Sequence, residues 1–238
     1  MFWWIVATLC AFFIKGLCGF ANTLVFSTIL SFGNSSINIT PVELLLGYPT
    51  NAILAWKERK SINWGMSIPL AILVLAGSIP GAYFLKTAHE EVVKTVLGFV
   101  IVFIGLEMLL RDRQSGQAKQ SKVLLFFIGL ISGILCGVYG IGALLSAYVS
   151  RTSKDSHAFK GNICLVFFFE NTFRVLMYIF CGIITLETAK QTLLLVPWMF
   201  IGLSTGMASS RGLNEKIVKK LVIVMLIVSG VALIINNL

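Results

Sequence analysis

The sequence predicts an all-α integral membrane protein, and three observations support this fold class. Hydrophobic residues make up 57% of the 238 residues and charged residues only 12%, whereas soluble domains carry about 25% charged residues. The mean hydropathy of the whole chain is +0.91. Several apolar runs reach the length of about 20 residues that a helix needs to cross a bilayer. No stretch between these runs is long enough or polar enough to predict a separate soluble domain.

Short polar breaks divide the chain into apolar runs. The N-terminal run has no basic region before it and no small-residue cleavage site, so we interpret it as a retained span and not as a signal peptide. The most polar break, at 111–122, lies near the middle of the chain. The runs lie near 1–32, 41–56, 66–85, 92–110, 123–149, 161–184, 187–208 and 217–235.

The two halves of the chain resemble each other. The segment GSIPGAYFLKTAHEE from Gly77 aligns with GLSTGMASSRGLNEK from Gly202 at a constant offset of 125 residues. Earlier in each half, Asn51 corresponds to Asn171. We interpret these matches as an internal repeat, although chance matches between glycines in apolar sequence are the alternative.

The distribution of Lys and Arg predicts how the halves are oriented. If all eight runs were simple spans, the two sides of the membrane would hold eight and nine of these residues, which is no bias. If the first run of each half is a hairpin of two half-helices and the N-terminus lies outside, the inner loops hold 14 and the outer loops 3. Only the second split agrees with the positive-inside rule. The sequence therefore predicts one integral membrane domain made of two inverted repeats, residues 1–115 and 116–238. Each repeat consists of a broken-helix hairpin plus three transmembrane helices.

The breaks in the two hairpins are the first candidate for a binding site. We expect the chain to turn back at 16–22 and at 133–142. The N-terminus of a half-helix inside the membrane attracts anions, and transporters with inverted repeats bind substrate where such breaks meet. Glycines also allow close helix packing, which is the alternative for these positions. The candidate residues of the two breaks are Gly19, Gly137, Tyr139 and Gly140.

Polar residues in the first half extend this candidate site. Lys15 is an ionisable residue in an apolar run, which suggests a function; the alternative is a lysine that reaches from a hairpin tip to the interface. Asn22 lies beside the same break. Asn51 follows Pro49, which frees a backbone carbonyl, so Asn51 either binds a ligand or satisfies that carbonyl. We expect Glu43 and Glu107 at the membrane interface.

In the second half, FFFENTFRVLMY places Glu170, Arg174 and Tyr178 on one helix face, with Asn171 beside them. Arg174 offers a planar donor fork that suits sulfonate, sulfite or carboxylate oxygens. Glu170 would then orient Arg174 or take part in proton coupling. Alternatively, Glu170 and Arg174 neutralise each other as a structural pair.

Other classes of function find no support in the sequence. We find no zinc-protease, P-loop, nucleophile-elbow or dinucleotide-binding motif, so we expect no enzyme activity. We also expect no cofactor and no metal, because the spacing of the five cysteines fits no metal site. The basic residues are spread over several loops, so the net charge of +9 predicts no nucleic-acid binding. It fits either positive-inside loops or an anion path.

At this point the sequence resembles the TauE/SafE sulfite-exporter-type permeases over nearly its whole length. The resemblance depends on the glycine-rich breaks GLCGFANTL and GILCGVYGIGALL, on NAILAWKERKSINW, and on the paired segments GSIPGAYFL and GLSTGMASS. It implies a multi-pass permease of the bacterial inner membrane that moves sulfite, sulfonates or related organic anions. The chain departs from the family in having CGFAN where several consecutive glycines are usual.

The sequence therefore predicts a permease whose partners are a small anionic substrate and the lipid bilayer. The runner-up is a membrane scaffold or assembly subunit that transports nothing. Substrate identity, direction, coupling ion and oligomeric state stay open, and a homo-oligomer is compatible with the sequence. Buried, water-accessible side chains at Lys15 and Arg174 would favour transport, whereas lipid-facing or interface-facing side chains at both positions would favour the scaffold.

Overall fold

A computed structural model describes residues 1–31, 39–87, 122–139 and 142–210, with scattered positions between 99 and 110 and between 220 and 235. The regular secondary structure of these residues is helical throughout, which confirms the all-α prediction for the described part of the chain. A short 3₁₀ helix, Arg59–Ser61, precedes α4. The α-helices are α1 Phe2–Cys18, α2 Asn22–Ser31, α3 Ile39–Lys57, α4 Trp64–Thr87, α5 Lys122–Tyr139, α6 Ala143–Thr152, α7 Ser156–Phe180 and α8 Leu186–Ser209.

The first run of each sequence half is broken into two helices, as predicted. The first break lies between Cys18 and Asn22, where Gly19 has a φ angle of 87° and Ala21 one of 72°. The second break separates α5 from α6. Both breaks are shorter than predicted, because α1 continues through Gly16 and α5 continues through Gly133.

Close packing between glycines explains why these helices continue. A Cβ atom added to Gly206 in α8 would lie 3.1 Å from the Cα atom of Gly16. A Cβ atom added to Gly77 in α4 would lie 2.9 Å from the Cα atom of Gly133. Helices that approach this closely need residues without side chains at the crossing.

The helices pack in pairs that join the two sequence halves. In the first pair α1 contacts α8, and in the second α4 contacts α5. Helix α3 of the first half packs against α7 of the second. Each broken run therefore lies against a helix from the other half.

The loop after α3 and the beginning of α7 lie at the same end of the helix bundle. Glu58 Oε2 and His157 Nδ1 are 2.9 Å apart. The backbone N–H of Asn63 donates to Asn162 Oδ1 at 2.7 Å, and the Ser67 hydroxyl donates to the same oxygen at 3.0 Å. These contacts place two of the predicted basic inner loops together.

The outer surface of the bundle is strongly apolar. Ile72 of α4, Phe127 of α5 and Leu193 of α8 are 60%, 56% and 71% exposed. Within the described residues, α7 and α8 are long and apolar enough to cross a membrane. Large exposed apolar surfaces of this kind are typical of contact with lipid.

Candidate functional site

A cavity of about 30 Å³ lies where the two breaks meet. Residues 20–24, from the first break and the beginning of α2, form one side, and Gly142 of the second break also lines it. The remaining lining residues are Lys15 of α1, Asn51 of α3, and Phe167 and Asn171 of α7. Its volume corresponds to about two water molecules.

Lys15 is buried inside the bundle and does not extend to an interface. Its side chain is 1% exposed, and Nζ donates to the carbonyl of Gly47 at 3.4 Å. The same carbonyl accepts a hydrogen bond of 2.7 Å from the Thr50 hydroxyl. Because 3.4 Å is long for a hydrogen bond, the ammonium group remains available to a stronger acceptor in the cavity.

Glu43 is also buried, so the expectation that it lies at the membrane interface is wrong. Glu43 is 3% exposed, and Asn22 Nδ2 donates to its Oε1 atom. The residue lies one turn inside α3, on the face that packs against α2. Glu107, for which the same position was expected, lies outside the described residues.

The amides of Asn22 and Asn171 converge on Gly47. A Cβ atom added to Gly47 would lie 3.2 Å from Asn22 Nδ2 and 3.8 Å from Asn171 Nδ2. Glycine at this position therefore leaves room for two polar side chains from different elements. Glu43, Gly47 and Asn51 follow one another at spacings of four on α3, and this spacing is a sequence signal that could have included Glu43 in the site.

Asn51 faces the cavity with an unsatisfied group. It is 2% exposed, and among the described residues its Oδ1 atom has no hydrogen-bond partner. Thr50, and not Asn51, donates to the Gly47 carbonyl in the turn that contains Pro49. A buried polar atom without a partner is unfavourable, so Asn51 Oδ1 is free to accept a hydrogen bond from water or from a donor group of a ligand.

Arg174 and Glu170 lie beside the cavity but are not among its lining residues. Arg174 Nε is 3.6 Å from Glu170 Oε1, and Nη2 donates to the Tyr178 hydroxyl at 3.3 Å. Both residues are buried, at 5% and 2% exposed. This geometry matches the structural pair more closely than a guanidinium group directed at the cavity.

The candidate glycines have different positions. Gly19 ends α1 in a left-handed conformation and lies against Lys160 of α7. Gly137 is inside α5, and an added Cβ atom would lie 2.8 Å from the Cα atom of Ser78, so close packing accounts for it. Tyr139 ends α5, and Gly140 lies outside the described residues. Sequence reasoning missed Phe167, which is indistinguishable from other apolar residues of α7.

Four buried charged side chains near the cavity, Lys15, Glu43, Glu170 and Arg174, form an electrically balanced group. The fifth buried charged side chain among the described residues, Lys160, interacts with Glu58 and is not counted in this group. Lys15 and Arg174 are positive, and both interact electrostatically with Glu43. Glu170 interacts with Arg174 and with Glu43. The formal charges sum to zero, which reduces the cost of placing ionised groups inside an apolar bundle.

Similarity to known proteins extends over most of the chain. Residues 4–233 match the family model described as sulfite exporter TauE/SafE. A probable membrane transporter protein, ORF9, from a Sinorhizobium species is 22% identical over 237 residues, which cover 96% of this chain and 90% of that protein. No solved structure is detectably similar to this chain. The chain belongs to the TauE/SafE sulfite exporter family and is a membrane transporter.

Proposed function

We propose that this transporter is a secondary permease for a small anion, of the sulfite, sulfonate or related organic-anion class, in the bacterial inner membrane. The observation that carries the proposal is the convergence of Lys15 and three asparagine amides on the cavity between the breaks. The amides belong to Asn22, Asn51 and Asn171. Oxygens of a sulfite, sulfonate or carboxylate ion accept hydrogen bonds, so a site rich in donors suits them.

Helix ends add to the attraction for an anion. Asn22 and Thr23 begin α2, and both line the cavity. Gly142, the residue before α6, lies on the cavity as well. Backbone N–H groups at a helix N-terminus lack helical partners and carry partial positive charge. Two such ends at one cavity supply donors that do not depend on any side chain.

The packing of the helices supports two inverted halves. In the sequence repeat, α1 corresponds to α5 and α8 corresponds to α4, and the pairs in contact are α1 with α8 and α5 with α4. The same pair of corresponding helices is therefore in contact twice, and each contact joins a helix of one half to a helix of the other. The 2.9 Å contact between Glu58 and His157 also favours the hairpin topology, because eight simple spans would put these loops on opposite sides of the membrane.

The size of the cavity supports transport by alternating access. About 30 Å³ is room for about two water molecules, so an anion of several heavy atoms requires the surrounding helices to separate. Movement of one half against the other opens such a site to each side in turn. The buried position of Lys15 on the cavity favours transport over the scaffold alternative, because a scaffold gains nothing from a charge that is costly inside the bundle.

Uptake into proteoliposomes tests the proposal. We expect saturable uptake of radiolabelled sulfite or sulfonate, competition by other small anions, and no competition by quaternary ammonium ions. Asn51→Asp adds a negative charge to the cavity and is expected to weaken uptake at least about a hundredfold, since like charges about 4 Å apart repel by about 4 kcal/mol.

The matched control is Asn63→Asp, because Asn63 is exposed at the end of the bundle. It is expected to transport like the wild type. Uptake equal to that of protein-free liposomes for every anion tested would contradict the proposed function, and normal uptake by Asn51→Asp would contradict the assignment of the cavity.

A further inference from the structure

Glu43 occupies a position directly behind the cavity. Asn22 lines the cavity and donates its amide Nδ2 to Glu43 Oε1. Thr23 is hydrogen-bonded to the same carboxyl group. The charged groups that face Glu43 are Lys15 from α1 and Arg174 and Glu170 from α7. Its carboxyl group is therefore connected to the cavity through two side chains, Asn22 and Thr23, which both line it.

Among the described residues, the charge of Glu43 has a less close cationic partner than the charge of Glu170, the other buried carboxylate of the site. Glu170 has Arg174 Nε at 3.6 Å on the same helix. Within the described part of the chain, no Lys or Arg nitrogen forms an ion pair with Glu43, and Lys15 Nζ is directed at the Gly47 carbonyl. The hydrogen bonds to Glu43 come from neutral groups, which leaves its carboxylate able to take up a proton.

An incoming anion disturbs the charge balance of the site. The formal charges of Lys15, Arg174, Glu43 and Glu170 sum to zero, so one bound anion gives these four side chains and the ligand together a net charge of −1. An uncompensated buried charge costs several kcal/mol. One proton added to a carboxylate converts COO⁻ to COOH and restores the sum to zero. The only bond formed is O–H, and it breaks again when the proton leaves.

We infer that Glu43 is a proton-binding residue that couples anion movement to proton movement in the same direction, one proton for each negative charge. This inference rests on the proposed function and adds the coupling ion and the residue that binds it. Asn22 connects the site of the proton, on the Glu43 carboxyl group, with the site of the anion in the cavity. A charge-assisted hydrogen bond is about twice as strong as a neutral one, so protonation of Glu43 weakens its hold on the Asn22 amide and frees that donor for the anion.

Simultaneous measurement of anion and proton fluxes tests the inference. Proteoliposomes loaded with a pH-sensitive dye receive radiolabelled sulfite or sulfonate from outside. In the wild type we expect acidification of the interior during uptake. We also expect a pH gradient of about one unit, acid outside, to accumulate a monovalent anion about tenfold.

Glu43→Gln keeps an oxygen that can accept from Asn22 but removes the titratable group. We expect measurable exchange of internal for external anion, with no accumulation driven by the pH gradient and no proton influx. Glu43→Asp retains a carboxyl group and is expected to retain proton influx. The matched control, Glu187→Gln, lies exposed on α8 and is expected to behave like the wild type.

The outcomes separate this inference from the proposed function. Proton influx with the same stoichiometry in Glu43→Gln overturns the assignment of Glu43. Wild-type uptake without proton influx overturns the coupling, leaves the proposed function intact, and needs no variant to fold. Absence of any anion exchange in the wild type contradicts the proposed function itself, and the inference with it.

Discussion

Replacement of Lys15 by Met tests the electrostatics of the cavity directly. Lys15 is the only charged side chain among the described residues that line the cavity, and it is 1% exposed. Met has a similar length but no charge. A hydrogen bond to a charged group contributes about 1.5–3 kcal/mol, so the loss of the ammonium group is expected to raise the KM of uptake about 10- to 150-fold.

The same change also affects stability. Without Lys15, the buried group of Glu43, Glu170 and Arg174 carries a net charge of −1. Removing one member of a buried charge pair destabilises a protein by about 3–5 kcal/mol. We therefore expect Lys15→Met to lower the midpoint of thermal unfolding in detergent. The double variant Lys15→Met with Glu43→Gln has a formal sum of zero again and is expected to recover stability without recovering affinity.

The assay is the KM of radiolabelled anion uptake at one fixed salt concentration, since ionic strength changes electrostatic attraction. The control is Lys190→Met, because Lys190 is exposed on α8. A folded Lys15→Met protein with a KM within about twofold of the wild type would refute the role of Lys15. Recovery of affinity in the double variant would show that charge balance, and not a direct contact, explains the effect.

Three further predictions concern packing, topology and the arginine. Gly206→Leu places side-chain atoms against the Phe13 backbone, 2.9 Å from its carbonyl carbon already at Cβ; we expect a loss of about 1–3 kcal/mol in stability, measured by unfolding in detergent. Cysteines introduced separately at Glu58 and His157, which lie 2.9 Å apart, are expected to react with a membrane-impermeant maleimide from the same side, the cytoplasm. Arg174→Lys keeps the charge but removes the guanidinium contact with Tyr178, so we expect a smaller rise in KM than for Lys15→Met.

Each of these predictions has an outcome that contradicts it. Gly65 has open surroundings, so Gly65→Leu serves as the packing control, and equal stability of both variants would rule out the close helix crossing. Labelling of the two cysteines from opposite sides would favour eight simple spans. A larger KM effect for Arg174→Lys than for Lys15→Met would place the anion at the guanidinium group.

The helical runs could be predicted because hydropathy alone determines them. The runs predicted at 41–56, 66–85 and 187–208 correspond to α3, α4 and α8, which extend one or two residues beyond each predicted end. The position of the breaks could not be predicted closely. Gly16 and Gly133 remain helical because each lies against a glycine that is distant in sequence, and local sequence does not reveal that partner.

The residues of the site could likewise be predicted from local sequence, whereas the directions of their side chains depend on tertiary packing. Lys15, Asn22, Asn51 and Asn171 were candidates because they are polar residues in apolar runs, and the structure brings all four to one cavity. Whether Arg174 faces the cavity depends on the rotamer of its side chain, which contacts Glu170 and Tyr178 instead. That choice depends on packing around α7 and is not encoded in the spacing of residues.

Glu43 illustrates how an error of two residues in the start of a helix changes an interpretation. Hydropathy placed it at the end of a span, whereas α3 begins at Ile39 and already buries Glu43 against α2. A rise of 1.5 Å per residue makes four residues equivalent to about 6 Å of depth. The predicted run began only two residues before Glu43, so the carboxylate lies about 3 Å deeper in the helix than hydropathy indicated.

A structure of the protein with a transported anion bound would show whether the anion binds in the cavity between the breaks. Electron microscopy of the protein in lipid nanodiscs, with saturating sulfite or sulfonate, would locate the ligand. We expect density for the anion between the two breaks, in contact with Lys15, Asn22 and Asn51. We also expect a cavity volume larger than 30 Å³. Density for a transported anion elsewhere in the bundle, with this cavity unchanged, would contradict the account.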